Sequence, residues 1–180
     1  MKLARGITLA GAAVLVASTP QVALAQGIDG VTDLDLVVSG SIAEQCALGS
    51  VGDMDFGNLE RRGLGSETGV AFYCNVPFTM TINGANGALT HNQMPNGQGP
   101  YAGAVEYSMG ISMPLRNPTR RVMQQTFNSR ALQGGGVLNS NGAIATEGMQ
   151  LTIELAPVVG KAGLLAGDYS ETISITVSPL

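Results

Sequence analysis

The chain has 180 residues with nine basic and thirteen acidic side chains, a net charge of −4, and charged residues make up only 12% of it. That length allows one domain with a substantial core. The acidic balance excludes a nucleic-acid binder of the usual kind, which carries a basic patch, and charge well below the common ~25% favours packing between subunits over a strongly solvated surface.

Lys2 and Arg5 form a short basic start, Ile7 to Ala17 is apolar apart from Thr8 and Gly11, and Ala23-Leu24-Ala25 places small residues where signal peptidase reads them. The pattern predicts a signal peptide over residues 1–25 with Gln26 as the first mature residue. The apolar run is too short for a membrane span, which takes about 20 residues, and nothing downstream is long and apolar enough for one. Removing Lys2 and Arg5 leaves seven basic against thirteen acidic residues, a net of −6 over the 155 residues that remain.

The next stretch alternates. Ile28, Gly30, Thr32, Leu34, Leu36, Val38, Gly40 and Ile42 make a mostly apolar face, while Asp29, Asp33 and Asp35 mark the other. Such a segment wants its even face in a groove. An ordinary first strand and a strand donated to a neighbouring molecule both fit that pattern. The nineteen residues from Ile28 to Cys46 would reach about 60 Å extended, against the 5–6 residues of a usual strand, so two successive strand roles are expected there.

Cys46 and Cys74 are the only cysteines. In an exported chain an even pair reads as a disulfide, and closing that loop restricts the unfolded chain by roughly 3–4 kcal/mol. A metal site lacks further ligands, since His91 is the only histidine and sits among turn residues. Asp53 and Asp55 fall short of a calcium cage and read as a solvated turn.

Beyond Cys46 the hydrophobic period is 2. Residues 70–74, 77–82, 104–113, 149–155 and 169–178 read as strands, the last with one slip at Glu171. Turn-rich stretches at 83–103, 128–148 and 160–167 separate them. Short strands between Gly/Asn/Pro turns define an all-β sandwich or barrel. Arg116, Arg120, Arg121 and Arg130 read as solvated loop and strand faces, Gly134-Gly135-Gly136 as a flexible turn, and the eight methionines as an adaptable core. No G-x-S-x-G, H-E-x-x-H or Walker pattern occurs, and one histidine cannot make a triad. No catalytic residue, metal or cofactor is expected.

The closing stretch from Leu165 to Pro179 resembles that of the spore coat protein U family, the pilin subunits of archaic, Csu-type chaperone–usher fibres. Ala166, Gly167 and Tyr169 stand in its Ala-Gly-x-Tyr turn, and Thr172, Ile173, Ile175 and Val177 in its alternating last strand. Asp55-Phe56-Gly57 and a second cysteine ending Val70 to Cys74 are similar as well; residues 85–148 carry no matching motif. The resemblance implies an immunoglobulin-like β-sandwich over 39–180 that lacks its last strand. It implies a donor strand over 26–38, with Ile28, Leu34, Leu36 and Val38 as groove-filling residues. It also implies a periplasmic chaperone, an outer-membrane usher and identical or related pilin subunits as partners. The expected role is a structural subunit of a surface fimbria in adhesion and biofilm formation, with neither nucleic acid nor a membrane span involved. A free carbohydrate- or surface-binding sandwich, a minor or tip-proximal subunit, and a secreted enzyme with an unfamiliar site remain open on the sequence.

Overall fold

The computed structural model describes residues 35–158 and 162–180. The chain divides after Gly40, and all the described strands belong to the unit Ser41–Leu180. The expected signal peptide, Ile28 and Leu34 lie outside the described residues. Residues 35–45 form no strand, and Leu36, Val37 and Val38 are 81%, 89% and 85% exposed. Among the described residues strand pairing begins at Cys46, so the described part of the stretch from Ile28 to Cys46, residues 35–45, carries no strand. An extended segment becomes a strand only where an edge offers a ladder of hydrogen bonds; here only Ala43 and Gln45 are bonded, both to Asn75.

The larger sheet is built from two interrupted ribs. β2 (Gly65–Val70) and β3 (Phe72–Cys74) form one, broken at Ala71; β10 (Ile144–Ala145) and β11 (Met149–Leu155) form the other. Val70 faces Met149 and Cys74 faces Ala145, so one register runs through both breaks. β7 (Tyr107–Asn117) pairs with β10 and β11 on one edge and with β8 (Thr119–Asn128) on the other. Between β10 and β11 the register against β7 shifts by two residues, from Ala145 opposite Leu115 to Gln150 opposite Ser112. Gly148, with φ 79°, makes that bulge possible. β1 (Cys46–Leu48) completes the sheet beside β3.

The smaller sheet sets β4 (Phe78–Gly84) between β9 (Gly136–Asn139) and β13 (Ile173–Pro179). A third sheet of short strands joins β5 (Leu89–His91) to β6 (Ala104–Val105) and β12 (Tyr169–Ser170). The four-residue helix α1 (Ser129–Leu132) starts under Asn128, whose side chain accepts from the Arg130 N–H at 3.0 Å.

Alternation explains the core. Phe78, Met80 and Ile82 of β4 are fully buried and pack with Met109, Ile111, Met113 and Leu115 of β7. The sheets therefore enclose one apolar layer, an all-β sandwich. Met80, Met109, Met113 and Met149 all lie in it, the adaptable packing expected of them.

The strand expected over 149–155 forms with those bounds, and that over 77–82 runs two residues further, to Gly84. The strand expected over 169–178 is divided. The Glu171 carboxylate accepts from the N–H groups of Asn86, Ala88 and Thr172, and the Ala85 N–H donates to the Thr172 carbonyl. Those bonds turn the chain from the β5 edge onto the β4 edge, which is why the alternation slips at Glu171. The turn-rich stretches also hold more structure than expected: β5 in 83–103, and α1, β9 and β10 in 128–148.

Candidate functional site

Among the described residues no strand pairs with the outer edge of β13. Its inward residues Ile173, Ile175 and Val177 are only partly buried, although they pack on the core. Ile175 lies beside Ile82 and Val177 beside Met80, both 0% exposed. One strand outward from the centre, the core is half-covered.

The neighbour across this opening is β1, the outermost strand of the larger sheet. β1 and β13 come within 8 Å between Cα atoms without forming a ladder. β1 has three residues against seven in β13, so among the described residues most of the β13 edge faces no strand. Two devices hold β1 in place. Cys46 and Cys74 stand directly opposite one another in the β1–β3 ladder and are joined by a disulfide, with Cα atoms 4.0 Å apart. Asn75 clamps the chain entering β1: its side chain accepts from the Gln45 N–H at 2.7 Å and donates to the Ala43 carbonyl at 2.8 Å, and its N–H donates to the Gln45 carbonyl. Asn75 was not singled out in the sequence. An asparagine after a cysteine has no periodic signature, and its role shows only through the thirty residues it spans.

The closing motif divides into a turn and an edge. Tyr169 donates its hydroxyl to the Leu165 carbonyl at 2.7 Å, and burial pushes its phenol pKa above the usual tyrosine value. His91 is buried beside it, ring edge to ring face at 5.2 Å. The His91 Nδ1 accepts from the N–H groups of Gln93 and Met94, and its Nε2 lies 3.1 Å from the Ala166 carbonyl. That accounts for both ring nitrogens with a single proton on Nε2, and makes His91 a hub of the turn. Gly167, at φ 147°, packs so tightly on the imidazole that a β-carbon would collide with it. Thr172 sits in the break before β13, and Ile173, Ile175 and Val177 line the open edge. The motif thus brings Ala166, Gly167 and Tyr169 together around His91 and the last three residues together at the opening. Leu36 and Val38 are exposed in the other unit of the chain.

Among the described residues no three His, Cys, Asp or Glu side chains converge as a metal site would require. Asp55 accepts from the Gly57 N–H at 2.8 Å, as a turn residue does. Arg116 and Arg120 pair with Glu147, and Arg130 pairs with Glu106. No helix among the described residues is long and apolar enough to cross a membrane. Compared with known proteins, the chain matches no family model, no curated protein and no solved structure.

Proposed function

We propose that this chain is a structural subunit of a surface fibre, exported through the periplasm and polymerised head to tail. In this reading the sandwich is immunoglobulin-like and lacks its last strand. Residues 28–38 of one copy add a strand to the β13 edge of the next. A chaperone holds the opening covered until an outer-membrane usher delivers the subunit, and no catalysis or cofactor is involved.

The observation that carries the reading is the half-covered row Ile173, Ile175 and Val177 beside the fully buried Met80 and Ile82. An unpaired edge over half-exposed apolar residues is costly in water and is a template for strand addition. The alternating N-terminal segment supplies what the edge lacks: backbone hydrogen bonds along its length and apolar side chains at every second position. Leu34, Leu36 and Val38, once buried, would each contribute roughly 1.5–3 kcal/mol before ordering costs. Because donor and acceptor are different surfaces of one chain, the contact repeats without closing and gives an open polymer.

The test uses the two faces of the segment. Leu36→Asp puts an unpaired charge into the groove, at a cost of several kcal/mol, and is expected to abolish fibres seen by electron microscopy while the subunit remains exported. Val37→Asp alters the face that already carries Asp33 and Asp35 and should leave fibres in place. Equal behaviour of the two variants would sink the proposal. A copy of residues 28–38 joined after Leu180 by a flexible linker should fill the groove from within and give a monomer on size-exclusion chromatography.

A further inference from the structure

The outer face of the larger sheet, turned away from the core, carries a second feature with chemistry of its own. A shallow groove of about 880 Å³ crosses it from β1 to β8. Its floor is apolar and low: Ala47, Ala71 and Pro114, with Tyr73 39% and Val122 61% exposed. At the β7–β8 end Arg116 and Arg120 stand opposite one another in the ladder. Both bind the same carboxylate, Glu147 Oε1 at 3.1 Å and Oε2 at 2.7 Å, with the two arginine side chains more than half exposed. Two guanidinium groups on one carboxylate leave a net charge of about +1. Each has one nitrogen engaged with Glu147, so further N–H donors remain for a ligand. This positive spot lies on a chain whose net charge is −4. Ser112, Thr146 and Gln150 line the same groove, and among the described residues their side-chain polar atoms have no hydrogen-bond partner.

We propose that this face binds a carboxylated polysaccharide, a chain of uronic-acid type. The charge selects an anion. The open, shallow shape admits an extended chain passing across the sheet. An exposed tyrosine and a small apolar floor suit the C–H face of a sugar ring, hydroxyl and amide groups meet ring hydroxyls, and the arginine fork meets the carboxylate. An acidic peptide would use the arginines alone. The inference does not depend on the fibre reading, because the groove lies on the outer face of the larger sheet and not at the β13 edge.

The experiment measures binding of the full exported chain to oligouronates of four to eight residues by titration calorimetry, at low and high salt. The comparison ligands are an uncharged glucan of the same length and poly-glutamate. Saturable, salt-weakened binding to the oligouronate is expected, with at least about tenfold weaker binding of both comparison ligands. Arg120→Ala and Tyr73→Ala should each weaken it by about tenfold. Glu147→Gln should strengthen it, since the carboxylate that competes for both arginines is gone. A structural role alone would not produce that gain. No binding at millimolar oligouronate, equal binding of poly-glutamate or the glucan, or weaker binding of Glu147→Gln would overturn the proposal.

Discussion

The strands β9 and β13 flank the same central strand, yet the core is closed beside one and open beside the other. Leu138 of β9 and Val177 of β13 both lie next to Met80. Leu138 is 4% exposed, whereas Val177 is only partly buried. The cover differs. Beyond β9 stand α1 and the ten-residue strand β8, whose Phe127 and Met123 pack on the core. The fit there is so close that a β-carbon on Gly136 would lie 2.8 Å from the Phe127 ring and 2.9 Å from Leu132. Beyond β13, among the described residues, there is only the three-residue β1. Burial in a sandwich is therefore set as much by what covers a strand as by the strand's own alternation, which is as regular in β13 as in β4.

The comparison can be broken most sharply by truncating matched residues. Leu138→Ala removes a fully packed side chain and should cost about 2–5 kcal/mol. Ile175→Ala, where water already reaches the side chain, should cost about 1–2 kcal/mol. Denaturant unfolding of the two variants measures the difference. In the protein carrying the additional 28–38 strand after Leu180, the cost of Ile175→Ala should rise towards that of Leu138→Ala. If Ile175→Ala costs as much as Leu138→Ala without that strand, the opening is not an energetic feature.

Second in size comes the bond that holds β1 at the opening. Cys46→Ser releases a closure 28 residues long in sequence separation and should cost about 3 kcal/mol in the loop-entropy picture. Local readouts should change as well. Amide exchange at Ala47 and Leu48 should accelerate more than at Val137 and Leu138, because only the β1 side loses its tether. Uniform acceleration across both sides would mean that the disulfide acts on global stability alone.

How far the sequence could foresee this follows from the same contrast. Strands with one buried face, such as Met149–Leu155 and Phe78–Gly84, announce themselves by alternation. β8 does not: Arg120, Arg121, Gln124, Gln125 and Thr126 are exposed, so the strand carries no clear apolar period and read only as a solvated face with arginines. The division of the last strand at Glu171 was legible as a slip, but its cause was not, because the bonds that produce it come from Asn86 and Ala88, more than eighty residues away. The disulfide was legible from the cysteine count and the expected export. The half-covered edge was expected only through the family resemblance, since an open edge leaves no mark on the strand's own alternation. The arginines at the outer-face groove were visible as a run, but the glutamate that binds two of them lies beyond β9, and the tyrosine across the sheet comes from β3.

The smallest effect is expected from a single oxygen between the two sides. Tyr107 begins β7 and is 3% exposed, and its hydroxyl has no hydrogen-bond partner among the described residues. It lies near Gly84, the β4 residue opposite Ile173. Burial first, and then the Glu171 carboxylate, push its phenol pKa above the ordinary tyrosine value. Removing an unpaired buried hydroxyl leaves no orphaned partner, so Tyr107→Phe should be neutral or stabilising by up to about 1 kcal/mol at pH 7. The pH dependence gives the sharper test. The folded value lies above the unfolded one, which is about 10. The native state therefore keeps its proton where the unfolded chain loses it, and stability present below pH ~10 is lost as pH rises from there through the folded value. Tyr107→Phe removes that loss, so its melting temperature should fall less steeply than that of the parent above pH 10, while the two curves run parallel below pH 9. Curves that stay parallel throughout would mean that the hydroxyl reaches water, and that the core is open at the end of β4 as well as along β13.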